Sequence, residues 1–274
     1  MYSMAAPHAK GKSAEDNIFA ANNRAIALAE KIGTENVVNA TVGSILDEDG
    51  SLVVLDVVKE ALSALTPKEM CAYAPIQGYR AFLDACIDQC FGKSRPEGYI
   101  DACSTPGGTG VLHHVVHNYS EVGDEVLISD WHWGAYDSLI DDNNRKVRTF
   151  SLLTEDGHFH AADFKEKVED ILSRQDNIVI ILNGIANNPT GYCLSDEEWQ
   201  AAIDVLKEAV KDETKKAILV PDVAYLDYSG EKEECRKFFR LFGGLPKNIL
   251  TVCAYTLSKG FTMYGQRMGA MIGI

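Results

Sequence analysis

The run Tyr255-Thr256-Leu257-Ser258-Lys259-Gly260-Phe261 follows the apolar stretch 249–254, so a lysine stands just beyond a buried strand. An amine attacks a carbonyl only when deprotonated, a state that burial or a neighbouring cation favours. Arg267, eight residues later, supplies such a charge and a planar fork suited to phosphate. Alone, Lys259 reads as one more solvated lysine. Its company argues otherwise. Asp222 closes the run 217–221 within Val220-Pro221-Asp222-Val223-Ala224-Tyr225. By itself such a carboxylate is a helix cap or a metal ligand. Asn188-Pro189-Thr190-Gly191 follows the run 177–182, and by itself it is turn chemistry.

Three further segments carry weaker signals. Pro106-Gly107-Gly108-Thr109-Gly110 opens a helical pattern, where bare backbone and free N–H groups suit an anion. It is not the GxGxxG of a dinucleotide site, because no fitting strand precedes it and no second spaced glycine follows. Trp131-His132-Trp133-Gly134 follows the run 125–129; an indole there stacks on a flat heterocycle or packs in a core or lid. His113 and His117 share a helix face at i, i+4 but lack a third ligand, so they read as ordinary surface histidines and no metal is expected.

These residues need elements to hold them. Short apolar runs at 125–129, 146–151, 177–182, 217–221, 249–254 and 267–274 read as buried strands. Helical spacing links Val54, Val58, Ala61 and Leu65; Phe82, Cys86 and Cys90; and Val111, Leu112, Val115 and Val116 in a helix beginning near Gly108. Two more helices are expected at 163–174 and 196–210, the second with Trp199, Ile203, Leu206 and Val210 in register behind a Ser195/Glu198 capping box. Alternating strands and helices imply right-handed crossovers and a three-layer α/β/α domain with a mostly parallel sheet. Ligands bind such sheets beyond the carboxyl ends of the strands, where Lys259, Asp222 and Asn188 all fall.

Composition narrows the partners. The 274 residues carry a net charge of -14, which repels nucleic acid and anionic lipid, so neither is an expected partner. No stretch approaches the ~20 apolar residues of a bilayer span, and residues 1–16 are mixed and polar, reading as an arm rather than a leader. Seven cysteines without a CxxC pair point to a reducing, cytoplasmic setting, with Cys86 and Cys90 as small core residues.

Together the site residues resemble the fold-type I pyridoxal 5′-phosphate (PLP) enzymes, specifically the class I and II aminotransferases of the aspartate and aromatic amino acid group. The resemblance runs from about Val37 to the last residue. It rests on Ser258-Lys259 with Arg267, on Asp222-x-Ala224-Tyr225 and on Asn188-Pro-Thr-Gly, in the family's order and near its usual separations. It implies that Lys259 is the Schiff-base lysine and also carries a proton between the substrate α-carbon and the cofactor. Asp222 would hold the pyridine nitrogen protonated, with Tyr225 and Asn188 on the phenolate oxygen. Gly108, Thr109, Thr256 and Arg267 match the phosphate cradle, and Trp133 the ring-stacking aromatic. Tyr73 matches a tyrosine that reaches the neighbouring subunit's phosphate, implying a homodimer, and Gly43 a substrate-side glycine in the N-terminal region.

The expected division is an arm and part of a small domain at 1–50 and a PLP-binding large domain at 51–274. The expected reaction is transamination between an acidic or aromatic L-amino acid and a 2-oxo acid. A β-lyase, decarboxylase or synthase on the same fold, and a non-catalytic PLP-binding domain, are the alternatives. Two departures stand out. Where the stacking residue's motif usually continues with Asn and His, this chain has Ala135 and Tyr136. The chain also ends at Ile274, fifteen residues past Lys259, where the family continues into a C-terminal domain carrying the arginine for the substrate carboxylate; a fragment of a longer protein is the expectation.

Overall fold

Along the central strands, neighbouring side chains face opposite ways and bury in two separate cores. Ile178, Ile180 and Leu182 pack in one, while Val179 and Ile181 pack in the other. A strand that is apolar on both faces needs cover on both, and helices supply it.

The computed structural model describes residues 4, 6–10 and 17–274. The stretch 1–16, expected as a polar arm, lies largely outside them. Contacts divide the chain into two compact units, Met1–Leu55 and Asp56–Ile274. The first contains α1 (Asn17–Ile32) and a short antiparallel bridge between Leu46 and Leu52. Within it, Asn39 and Thr41 hydrogen-bond to the Asn22 side chain on α1.

The second unit begins with α2 (Asp56–Ala64), α3 (Pro67–Cys71) and α4 (Arg80–Phe91). Strands and helices then follow: β1 (Asp101–Pro106), α5 (Gly107–Tyr119), β2 (Glu125–Ser129), α6 (Ala135–Asp142), β3 (Lys146–Phe150) and α7 (Ala161–Leu172). The chain closes with β4 (Asn177–Leu182), α8 (Asp196–Ala209), β5 (Lys216–Pro221), β6 (Ile249–Thr256) and β7 (Met268–Gly273). The strand order is β1-β7-β6-β5-β4-β2-β3. Strands β2 to β6 are mutually parallel, and β7 runs antiparallel to both its neighbours. Side chains of α5 and α6 fill one core, and those of α4, α7 and α8 fill the other. The three-layer, mostly parallel architecture read from the sequence is therefore what forms.

The differences have local causes. Strand β1 was not expected, because Asp101-Ala102-Cys103-Ser104-Thr105-Pro106 is too polar to stand out as an apolar run. Helix α6 hides in the mixed stretch after Trp133 for the same reason. Val54 and Leu65 fall outside α2, whose apolar face is shorter than the spacing suggested. Strand β7 returns antiparallel because only residues 257–267 link it to β6, too few for a helical crossover. The capping box forms as read, with Ser195 Oγ accepting the Glu198 N–H and the Glu198 carboxylate accepting that of Ser195.

Trp199 of α8 shows how the larger core is locked. It is fully buried, stacked on Phe238 at 4.9 Å and edge-on to Phe242 at 5.8 Å. Trp199→Ala would leave a void ringed by aromatic side chains that cannot collapse into it. A loss of about 3–5 kcal/mol in unfolding free energy is expected, read by urea denaturation.

Candidate active site

One edge of the sheet collects the polar residues. Parallel pairing aligns the carboxyl ends of β2, β4, β5 and β6, followed respectively by Trp131, Asn183, Asp222 and Leu257. Because β7 runs the other way, its amino end lies at the same edge, and Arg267 immediately precedes it. The first turn of α5, directly after β1, joins them.

Lys259 is half-buried, with Nζ 5.3 Å from the Tyr225 ring centre and 5.4 Å from that of Tyr264. Burial lowers its pKa below the usual lysine value, and the positive charge of Arg267 lowers it further. The backbone around it is held firmly. Tyr228 Oη donates to the Lys259 carbonyl at 2.9 Å, as does the Thr262 N–H at 3.0 Å. A Cβ on Gly260 would lie 2.2 Å from Asp227 Oδ2, so only glycine fits beside the lysine. Asp227 is in turn clamped by Arg236, whose guanidinium is almost wholly buried and 2.6 Å away.

Asp222 lies next to Ala254 of β6 in parallel register and is itself buried. Its Oδ2 accepts the Tyr136 hydroxyl at 2.5 Å and its Oδ1 accepts the Ala224 N–H at 3.1 Å. Burial raises its pKa, against the downward pull of those two donors. Asn183 steadies the strand end by donating to the Asp222 carbonyl at 2.9 Å, while its own Oδ1 accepts the Asn188 N–H at 2.7 Å. The Asn188 side chain hydrogen-bonds to the Tyr225 phenol. Burial, then the Asp222 charge, pushes that phenol's pKa up. Tyr225 thus lies against the Lys259 amine and feels the Asp222 carboxylate, which makes it a neighbour that the two share.

A second cluster surrounds Arg267. Its Nη1 lies 3.0 Å from the Tyr264 carbonyl and 3.5 Å from Ser258 Oγ, and its Nη2 lies 3.5 Å from Thr109 Oγ1. Thr256 Oγ1 is 3.1 Å from Ser258 Oγ and accepts the Ser258 N–H. Gly107 adopts φ +73°, and a Cβ there would meet Arg267 Nη2 at 3.1 Å. Gly108 sits beside Thr256, whose Cβ would be 3.6 Å from an added Cβ. Hydroxyls, a guanidinium and the bare backbone of a helix start make a cradle for a dianion.

The remaining expected residues are more scattered. Trp133 is half-buried and meets Tyr136 edge-on at 5.8 Å. Tyr73 is fully exposed in the loop before α4. Gly43 lies in the first unit. Sequence reasoning passed over Tyr136, Asn183, Tyr228, Ser258 and Tyr264 as site residues. The strand-end rule already pointed at Asn183, and Tyr136 had stood out only as a departure from the family's motif; nothing in local pattern singled out Tyr228 or Tyr264. Among the described residues, no three His, Cys, Asp or Glu side chains gather as a metal cage, and no helix is long and apolar enough to cross a membrane.

Comparison with known proteins agrees with this arrangement. The chain belongs to the class I and II aminotransferases, whose family profile matches residues 35–273. The chloroplastic aspartate aminotransferase of Arabidopsis thaliana is 30% identical over 241 residues, covering 85% of this chain and 51% of that protein. The aromatic-amino-acid aminotransferase of Pseudomonas aeruginosa is 29% identical over 244 residues, covering 84% and 57%. The crystal structure of an aminotransferase from Anaerococcus prevotii matches with a TM-score of 0.96 at 39% identity, covering all of this chain and 67% of that one. The chain spans about half the length of the curated relatives it matches.

Because burial and Arg267 both disfavour the ammonium form, Lys259 is expected to acylate with a pH midpoint below 10.5, read residue by residue by mass spectrometry. Arg267→Gln should move that midpoint upward, and an unchanged value would mean that the guanidinium does not act on the amine.

Proposed function

We propose that the intact protein is a PLP-dependent aminotransferase that moves an amino group between an acidic or aromatic L-amino acid and a 2-oxo acid. The observation that carries this reading is the half-buried Lys259 amine sharing Tyr225 with the buried Asp222 carboxylate at one sheet edge. The residues fit the cofactor. Arg267, Thr109, Ser258 and Thr256, with the start of α5 at Gly107 and Gly108, would receive its phosphate, and a side chain on Gly107 would crowd that space. Asp222 would face the ring nitrogen, Tyr225 and Asn188 the phenolic oxygen, and Trp133 one face of the ring. When bound, PLP supplies an aldehyde that captures amines and a ring that accepts electrons.

The chain's own work follows from its electrostatics. Lys259, kept below its ordinary pKa, is available as a free amine and can then take a proton from the substrate α-carbon and return it one atom away. Asp222 holds a positive charge opposite itself, and the Tyr136 and Ala224 donors keep it from rotating. Tyr225 and Asn188, hydrogen-bonded to each other, present one fixed polar face.

The division into an arm with part of a small domain at 1–50 and a cofactor domain at 51–274 belongs to the same proposal. So does a homodimer in which Tyr73 reaches the partner's phosphate site, supported by the full exposure of Tyr73 and Ile76. A reducing, cytoplasmic setting is supported by seven cysteines that are all unpaired.

With PLP added, the wild-type protein is expected to develop a pH-dependent visible absorbance that Lys259→Ala lacks. Supplied with an amino acid, the intact enzyme should release one 2-oxo acid per amine transferred, without ammonia or pyruvate, and Lys259→Ala should be slower by roughly 10²–10⁴-fold. Persistence of the absorbance in Lys259→Ala, or release of ammonia, would remove the assignment. Sedimentation equilibrium is expected to give twice the mass of a single chain.

A further inference from the structure

Tyr136 is among the largest fully buried side chains of the molecule, yet nothing in the reading above uses it beyond a single contact. It projects from α6 into the core that α5 and α6 cover. His132 stacks on its ring at 6.2 Å and Trp133 meets it edge-on at 5.8 Å. His132 is itself anchored, through Nδ1 to the Ser129 carbonyl and through Nε2 to Asp137. The ring therefore has one place to be, and its hydroxyl ends 2.5 Å from Asp222 Oδ2.

The chemistry of this pair is one-sided. Burial and the neighbouring Asp222 charge both raise the Tyr136 pKa well above that of a free phenol. The hydroxyl keeps its proton and can only donate to the carboxylate. Asp222 has a second donor, the Ala224 N–H on Oδ1. Burial by itself favours the neutral acid, and donors to both oxygens favour the anion. Tyr225 is the other titratable group acting on the pair, and it stays a neutral phenol for the same reasons. Lys259 Nζ lies over the Tyr225 ring, 5.3 Å from its centre.

We propose that Tyr136 is a positioning residue that keeps Asp222 ionised and oriented, so that the cofactor's ring nitrogen meets a carboxylate rather than a carboxylic acid across the working pH range. The proposal rests on the reading of Asp222 as the ring-nitrogen partner. Loss of the phenol hydroxyl should let burial win, so that Asp222 ionises only at higher pH.

The test measures the affinity of the apoprotein for PLP by tryptophan fluorescence from pH 5 to 9, for wild type and Tyr136→Phe. Titration of the cofactor phosphate and of Lys259 is common to both proteins and cancels in the ratio of their dissociation constants. Near neutral pH the variant is expected to bind roughly tenfold more weakly, and the gap should close as pH rises. The infrared spectrum of the variant should contain a protonated-carboxyl band near neutral pH that wild type lacks and that Tyr136→Phe/Asp222→Asn loses. A ratio that stays constant with pH, with or without a lower melting temperature, would reduce Tyr136 to packing and overturn the proposal. Should Tyr136→Phe fail to fold, Tyr136→Met carries the test: it too lacks the hydroxyl, so its dissociation-constant ratio to wild type should fall as pH rises, and a flat ratio would overturn the proposal. If Asp222→Asn binds PLP as wild type does, the assignment of Asp222 itself falls; if only the Tyr136 variants are indifferent to pH, that assignment stands and the role of Tyr136 alone is lost.

Discussion

Asp222 pairs beside Ala254 in the parallel ladder of β5 and β6, and that register sets where the acid stands relative to the lysine five residues further along. A slip of one residue would turn Asp222 to the opposite face of the sheet and send its neighbours into the wrong core. The register is well defended. Ile218 and Val220 belong to one core and Ala217 and Leu219 to the other, so a one-residue shift would put side chains of the wrong size and shape into both packed cores. Burial of the strands, with no polar group to guide it, thereby positions the one acid that matters.

The same sheet solves the placement of the cations. Six strands running the same way bring their carboxyl ends to one edge, and a single antiparallel strand brings its amino end there too. That reversal puts Arg267 within reach of Thr109 and Ser258 although 158 positions separate Thr109 from Arg267 in the chain. On a chain of net charge -14, the local Arg267 cation at the rim is the means by which an anionic ligand would be drawn in. Arg267 discourages protonation of Lys259 and, under the proposed function, would also receive the anion.

Support for the lysine comes from further away. The turn Leu226–Tyr228 packs against the loop after β6, with Asp227 pressed against Gly260 and Tyr228 bonded to the Lys259 carbonyl. Arg236 locks that turn from beneath, its guanidinium also donating to the carbonyls of Cys90 and Lys232. A buried guanidinium without partners would be very costly, and here its donors are met by a carboxylate, carbonyls and a thiol. The arrangement ties the segment around Lys259 to the larger aromatic core.

Local sequence determined a great deal. Runs such as Asn177–Leu182 are apolar on both faces and so had to be buried strands, and Ser195 with Glu198 had to start a helix. Lys259, Asp222 and Asn188 drew notice because each follows an apolar run, and Arg267 because it precedes one. Tertiary structure alone decided what those groups touch. That β7 runs antiparallel, that the polar strand β1 exists, and that Tyr136 reaches Asp222 across 86 positions all depend on contacts between distant segments. Periodicity reports which way a side chain points within its own element. It carries no information about the partner waiting on another element, and the chemistry of this site is made of such partners.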